Sequence, residues 1–546
     1  MPFVVIAHAH PAMPEAFKLV RIPSLKTVQD FRAHVASLGI ELPCEDSIAA
    51  PGESPLAAPV PGVTINGKSI GNRWAIHPME GWDATTTGGV TAEVRRRWQR
   101  FGESGAKLIY GGEAMAVRPD GRANPNQLII SEANQPGLAE LVTILKQAHR
   151  ERHGTTDDLV IGFQLTHSGR FCKPHDKFRG EPRVAYRHPI LDGKFGVTSD
   201  AQVFSDDEVR ELIRDYVIAA GIVAKAGADF VDLKHCHGYL LHEFLGAHTR
   251  PGCYGGSFEN RTRILREIAQ GIRAAGIPIE LGVRVSCFDV VPHRPDPALS
   301  QPGKLGPGIP EDFSRCLPYR YGFGVNQADP TQPDLTEAFQ FLDLCAELGV
   351  KVLNVSAGSP YYTPHIQRPA AYPPSDGYQP AHDPLIDVAR QIQAVRQLRE
   401  RVTRLHGCKV TSGSASHVTM QPFNPVTSGS APHVTMQPFN HVTAPILVGT
   451  AYSYLQEYLP HVAQFTVRNG WTDMVGLGRM TLSYPTMPAD LAQSGTLQTR
   501  AICRTFSDCT TAPRNGLVSG CYPLDKFYSA KPEAQQLKQI KRSTGA

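Results

Sequence analysis

From residue 72 onward the chain repeats one pattern: a short apolar run, a polar or glycine-rich loop, then a longer stretch with apolar positions at helical spacing. The apolar runs fall at 74–77, 107–110, 159–165, 230–234, 280–285, 352–355, 446–449 and 474–477, eight in all. Helical patterns fall at 91–104, 138–153, 206–226, 258–275, 335–348, 385–402 and 452–467. Strands alternating with helices predict a parallel sheet, and eight such units predict a closed α/β barrel, a (β/α)8 TIM barrel, over residues 71–495.

In such a barrel the loops that follow strands overhang the functional face. The segments 286–333 and 357–384 follow the fifth and sixth strands and are predicted lids. The segment 403–444 precedes a strand and belongs to the opposite face. It holds a near-perfect duplication, VTSGSASHVTMQPFNP at 410–425 and VTSGSAPHVTMQPFNH at 426–441, differing only at Ser416 against Pro432 and Pro425 against His441. Two copies are too few for a solenoid, and the Ser, Thr and Pro content resists a packed core, which predicts a disordered insertion.

The flanks read differently. Residues 1–70 form an N-terminal extension with a strand at 3–6, a helix at 25–38 and a Pro-, Ala- and Gly-rich strap at 49–62. Residues 496–546 form a cysteine-containing C-terminal extension.

Composition changes this picture little. A net charge of +4, with basic residues scattered among acidic ones, gives no surface for nucleic acid or anionic membranes. Eleven cysteines over 546 residues do not make a secreted disulfide scaffold. The first residues lack a cationic lead-in and a long apolar run, so neither a signal peptide nor a membrane span is expected. The expectation is a soluble cytoplasmic protein, free to form a homo-oligomer.

The chemistry concentrates after the fourth strand. Alternation along 230–234 puts Asp232 and Lys234 on one face and Val231 and Leu233 on the other, which leaves His235 a bystander. Lys234, His237 and Tyr239 then converge at the strand's carboxyl end. A cation, an imidazole and a phenol suit binding an oxygen that gains negative charge while a proton is delivered nearby.

These residues lie in a run, HGYLLHEFL at 237–245, followed by YGGSFENR at 254–261, which strongly resembles the Old Yellow Enzyme family of FMN-dependent barrel oxidoreductases, closest in layout to its 2,4-dienoyl-CoA reductase branch. The likeness extends over 65–488 apart from the duplicated insertion. It implies flavin contacts at Pro78 and Met79 after the first strand, at Gly111, Gly112 and Glu113 after the second, and at Gln164 ending the third. Arg284, ending the fifth strand, would lie against the flavin N1 and C2 carbonyl, where a fixed guanidinium stabilises the anionic reduced ring. Gly449, Thr450, Gly478 and Arg479, with Ser356, Ala357 and Gly358, would form the phosphate cradle.

The implied reaction is a hydride relay. NADH or NADPH reduces FMN and is replaced by an α,β-unsaturated carbonyl compound; Lys234 and His237 hold the carbonyl oxygen, flavin N5 gives hydride to the β-carbon, and Tyr239 protonates the α-carbon. No appended dinucleotide domain is expected, since no G-x-G-x-x-G follows the barrel. An oxidative dehydrogenase or demethylase on the same fold, and a catalytically silent flavin-binding protein, are the alternatives.

Three positions depart from the family. Lys234 stands where relatives carry His, which would shift substrate preference toward more charge-accepting or anionic compounds. Glu80 stands where they carry Thr or Cys, and a carboxylate there would disfavour the reduced flavin unless neutralised or turned away. Cys503, Cys509 and Cys521 are spaced like the branch's iron–sulfur ligands, but Phe506 occupies the place of the second ligand. No metal is expected.

Overall fold

The computed structural model describes residues 19–410 and 444–544. The barrel strands are β1 (Trp74–Ile76), β2 (Leu108–Ile109), β3 (Val160–Thr166), β4 (Phe230–His235), β5 (Glu280–Ser286), β6 (Val352–Ser356), β7 (Ile446–Gly449) and β8 (Met474–Leu477). All eight run parallel in the order β2-β1-β8-β7-β6-β5-β4-β3, and β3 pairs back onto β2 through Leu108 opposite Val160, which closes the barrel. They are buried almost throughout, because helices cover the outer face and side chains fill the interior, and this is why they read as apolar runs.

The helices on the outer face are α1 (Ala92–Gly102), α2 (Gln135–His153), α3 (Asp206–Lys225), α4 (Arg263–Ala274), α5 (Thr336–Glu347), α6 (Pro384–Val410), α7 (Leu459–Arg468) and α8 (Met487–Ser494). The start of α3 illustrates the local code: Ser205 accepts a hydrogen bond from the Glu208 N–H while the Glu208 side chain accepts from Ser205, a capping box ahead of an amphipathic run.

Three boundaries differ from the sequence pattern. The helix at 258–275 breaks at Thr262 into Phe258–Arg261 and α4. The one at 452–467 begins as 3₁₀ turns over Tyr452–Tyr458, interrupted at Gln456 by a kink with φ 52°, and becomes α-helical only from Leu459. α6 continues through Val410, so residues 403–410 are helical and not part of a disordered insertion. The strand at 3–6 lies outside the described residues, as does the duplication beyond Val410.

The N-terminal extension has a task that its composition did not disclose. Its hairpin, Thr64–Ile65 with Lys68–Ser69, seals the barrel floor. Ile65 and Ile70 pack against the interior residues Ala75, Leu108, Tyr110, Val160 and Phe230. Lys68 Nζ lies 2.8 Å from Asp229 Oδ1 at the foot of β4. With the floor closed, the free ends at the carboxyl side are where a ligand can enter.

Two segments were expected to cover that open side, and one of them does. The segment 286–333, expected as a lid, supplies no residue to the lining of the mouth: its Tyr319, Tyr321 and Phe323 enclose a separate small cavity with His188 and Asp289. The 357–384 loop does overhang the barrel mouth, and its partner is the C-terminal extension. That extension is tied to α1 by Arg96 with Asp525 at 2.9 Å and by Lys531 with Glu93 at 3.1 Å, and it lays Thr510, Pro513 and Arg514 across the opening. Among the described residues, no helix is long and apolar enough to cross a membrane.

Candidate active site

Strand register assembles the site. Gln164 on β3 stands opposite Asp232 on β4, and Lys234 on β4 stands opposite Arg284 on β5, which is itself opposite Asn354 on β6. One inward-facing rung therefore carries a lysine, an arginine and an amide from three strands. Side chains that far apart in sequence meet because alternation and register point them all into the barrel.

Above this rung a cleft opens at the carboxyl ends of the strands. Of the residues singled out from the sequence, Pro78, Met79, Gln164, Lys234, His237, Tyr239, Arg284, Ser356, Thr450, Gly478 and Arg479 line it. Gly112, Gly358 and Gly449 do not. The Gly112 carbonyl faces the Met79 N–H at 3.4 Å, and a Cβ on Gly112 would strike the Trp98 ring. Gly358, at φ 61°, accepts a hydrogen bond from Ser286 Oγ, and Gly449 packs on Thr472 and Tyr452. Glu113 also lies outside the lining, with Oε2 accepting from the Gly81 N–H at 2.9 Å; burial beside Asp83 raises its carboxyl to about 8.

His237 is held unusually firmly. Its backbone sits at φ 66°, a region non-glycine residues seldom occupy, and is pinned there by its N–H to Ser286 Oγ at 3.0 Å and its carbonyl to Ser359 Oγ at 2.8 Å. The Nε2 atom meets Ser356 Oγ at 2.9 Å and the Gln367 amide at 3.3 Å. Burial, followed by the nearby Arg284 and Lys234 charges, drives its pKa well below the ordinary imidazole value, so the ring is neutral.

Tyr239 is fully buried, with its hydroxyl 3.0 Å from that of Tyr361. Burial and the neighbouring Glu80 carboxylate raise its pKa well above the ordinary phenol value, so it keeps its proton. Lys234 stretches over the Tyr239 ring with Nζ 3.4 Å from the centroid, a cation–π contact, and reaches Glu80 Oε1 at 2.5 Å. The second Glu80 oxygen accepts from the Trp82 indole at 3.2 Å. The carboxylate at position 80 is thus matched by the charge of Lys234. The lysine charge from which a tilt toward anionic substrates was expected is paired within the protein.

Arg284 approaches the Pro78 carbonyl at 3.4 Å and leaves Nε buried without a partner. His77, at the end of β1, bonds Asn354 through Nδ1 at 2.9 Å and leaves Nε2 unpartnered. Burial and then Arg284 hold His77 well below the usual imidazole range. Gln164 donates to Asp232 Oδ2 at 2.6 Å, which fixes its amide, and burial raises Asp232 to about 7.

Sequence reasoning missed His77, Tyr361, Gln367, Arg368 and Arg514, all of which line the cleft. His77 carried a signal, since it closes an apolar run at a strand end. The others lie in a proline-rich loop and in the extension, where no periodicity marks them.

Cys503, Cys509 and Cys521 do come together around a small cavity beside Phe506. Among the described residues, no group of three or more His, Cys, Asp or Glu side chains is arranged to hold a metal ion.

Residues 61–298 match the model of the NADH:flavin oxidoreductase / NADH oxidase family. Over 215 residues the chain is 31% identical to an NADPH dehydrogenase of Clostridium acetobutylicum, covering 38% of this chain and 58% of that one. Over 240 residues it is 30% identical to an NADPH dehydrogenase of a Geobacillus species, covering 42% and 63%. The chain thus spans less than two thirds of the length of these curated relatives. In fold it is similar to 2-naphthoyl-CoA reductase, with TM-score 0.54 and 17% identity over 87% of this chain and 57% of that one. It is also similar to histamine dehydrogenase of Rhizobium sp. 4-9, with TM-score 0.52 and 18% identity over 86% and 52%.

Proposed function

Because residues 61–298 match the model of the NADH:flavin oxidoreductase / NADH oxidase family, we propose that the chain is an FMN-dependent NAD(P)H oxidoreductase that reduces the C=C bond of α,β-unsaturated carbonyl compounds. FMN fits the residues present. The cleft is lined by six basic side chains, Arg97, Lys234, Arg284, Arg368, Arg479 and Arg514, and, among the described residues, by one acidic side chain, Glu80. Three of the guanidiniums, those of Arg284, Arg368 and Arg479, each keep a buried nitrogen with no partner, as suits an anionic ligand.

FMN, when bound, would supply the two-electron hydride chemistry between NADPH or NADH and the substrate. The chain's residues aim and support that transfer. Arg284 and the amide of Gln164 flank the deepest part of the cleft, where a fixed positive charge favours a ring system that gains electrons. His237, neutral and pinned by Ser286, Ser356 and Ser359, is placed to hydrogen-bond the substrate carbonyl, with Lys234 adding positive potential beside it.

Tyr239 carries the reading. It is a buried hydroxyl on the cleft wall that remains protonated near neutrality, and it is therefore a proton donor for the α-carbon. An oxidative amine dehydrogenase would be served better by a carboxylate free to receive an ammonium group, whereas Glu80 is already held by Lys234 and Trp82.

Anaerobic half-reactions test the proposal. The yellow protein should bleach with NADPH or NADH and regain colour with a cyclic enone, and Tyr239→Phe should slow the second step by about 10²–10⁴-fold while sparing the first. A wild-type protein that bleaches yet is never reoxidised by any enone, enal or unsaturated thioester would remove ene-reduction from consideration. Failure to bleach would favour the silent flavin-binding alternative.

A further inference from the structure

Resting on the FMN reading above, we propose that Arg368 is a second guanidinium ligand of the cofactor's phosphate monoester, held in place by Thr510 of the C-terminal extension. Arg368 lies in the loop after β6, nine-tenths buried at 9% exposure. Its Nη1 donates to Thr510 Oγ1, and its Nη2 is buried with no partner. Arg479 approaches from the end of β8. Its Nη2 donates to the Pro369 carbonyl at 2.6 Å, one residue from Arg368, and its Nη1 is likewise buried and unpartnered.

Two guanidiniums from different strand ends therefore meet at one end of the cleft. Neither forms an ion pair among the described residues; the third arginine of that wall, Arg514, is matched by Asp376. Burial, and next the Arg479 charge, lower the Arg368 pKa to about 10, as expected of like charges confined together without an anion. Folding two cations into this position is costly unless something negative joins them.

The surroundings identify the shape of that anion. Thr450, Ser453 and Gly478 line the same end, and Ser453 Oγ accepts from the Met480 N–H at 3.3 Å, next to Arg479. Two guanidinium forks with hydroxyls and a glycine backbone suit a phosphate dianion, which presents several acceptor oxygens. The loop also connects this end to the chemistry, since Gln367, adjacent to Arg368, contacts His237 Nε2 at 3.3 Å.

The extension thus becomes part of the cofactor site, with Thr510 occupying one fork of Arg368 and leaving the other free for the ligand. The same phosphate chemistry occurs on NADPH, so the experiment must separate the two sources. Flavin-free protein is titrated with FMN and with riboflavin by fluorescence quenching, and the preference for NADPH over NADH is measured in the bleaching step.

For Arg368→Ala, the FMN dissociation constant should rise about ten- to a hundred-fold, the range of a lost charged hydrogen bond. Riboflavin binding should be unchanged, which also reports an intact fold. Arg368→Lys should fall between, and Thr510→Val should weaken FMN several-fold.

Equal weakening of riboflavin, an unchanged FMN constant, or an effect confined to NADPH over NADH would each overturn the inference. No effect of Thr510→Val would overturn the part given to the extension. If the wild type bound neither flavin, the cofactor reading and this inference would fall together; flavin binding with Arg368→Ala indifferent to the phosphate would sink this inference alone.

Discussion

At the scale of single residues, the pairing of Lys234 with Glu80 decides how the chemistry is tuned. The two positions lie 154 residues apart, and the sequence gives no sign that they touch, so each reads alone as a liability. Together they form a compensated pair beside Tyr239. Glu80→Gln leaves the lysine charge unmatched, favours the electron-rich flavin, and should raise its midpoint potential; Lys234→Ala should lower it. About 30 mV corresponds to 1.4 kcal/mol for a two-electron couple, so shifts of tens of millivolts are expected, and spectroelectrochemistry with both shifts of one sign would refute the pairing argument. Tyr239 gives a pH prediction of its own. Because its folded pKa is raised well above 10, the proton is retained throughout the neutral and mildly alkaline range. The reoxidation rate should stay flat from about pH 7 to 9.5, and a loss with a midpoint near 8 would mean that another group donates the proton. That Tyr239 and His237 line the cleft was legible because both lie within a short, distinctive run; that Tyr361 and Arg368 do was not, because it depends on where a proline-rich loop turns back.

At the scale of elements, the eight strands were legible in full, and the reason is physical. A parallel strand covered by helices on one side and packed side chains on the other must be apolar on both faces, and this pattern survives in sequence even for a two-residue ladder such as β2. The coverings of the open face were harder. The 286–333 segment is long and follows a strand, yet it lines none of the mouth, while the extension, which reads as spaced cysteines, reaches across it. Nothing local distinguishes the two cases, since closure depends on ties such as Arg96 with Asp525, 429 residues apart. Within the strands the inner face tolerates little change. At Gly476 on β8 an added Cβ would stand 2.0 Å from His77 Cε1, and the next obstacle, the Gly449 carbonyl, is backbone. Gly476→Ala should therefore displace His77 and destabilise the protein by about 1–3 kcal/mol, read as a lowered urea midpoint; an unchanged midpoint together with unchanged flavin binding would show that His77 has room to move.

At the scale of the whole molecule, buried neutral imidazoles set the response to acid. His77, His188 and His237 are held well below the ordinary value by burial, and burial also takes His235 and His167 to about 4 and His242 and His365 to about 3. In the unfolded chain each titrates near 6.5, so below that pH the unfolded state binds protons that the folded state refuses; the stability these groups contribute is present above about 6.5 and is lost as pH falls toward their folded values. The buried carboxyls act the other way. Asp232 and Asp289 are raised to about 7 and Glu113 to about 8, chiefly by burial, so the folded state holds their protons between about pH 4 and 7 and gains stability as pH falls through that window. His149, His153, His248, His293 and His461 are lowered as well, and Asp215 and Glu243 raised, so among the described residues twelve histidines against five carboxyls leave the unfolded state the stronger proton binder below about 6.5, and the urea midpoint should be lower at pH 5.5 than at 7.5. His242 isolates one contributor: its Nδ1 accepts from the Gly238 N–H at 2.9 Å, a contact that glutamine can replace, while its Nε2 is buried without a partner. With an unfolded value near 6.5 and a folded value of about 3, it should account for about 1.4 kcal/mol of the difference between the two pH values. His242→Gln should shrink the pH dependence by that amount, and a variant whose two midpoints stay as far apart as in the wild type would show that the acid sensitivity comes from elsewhere.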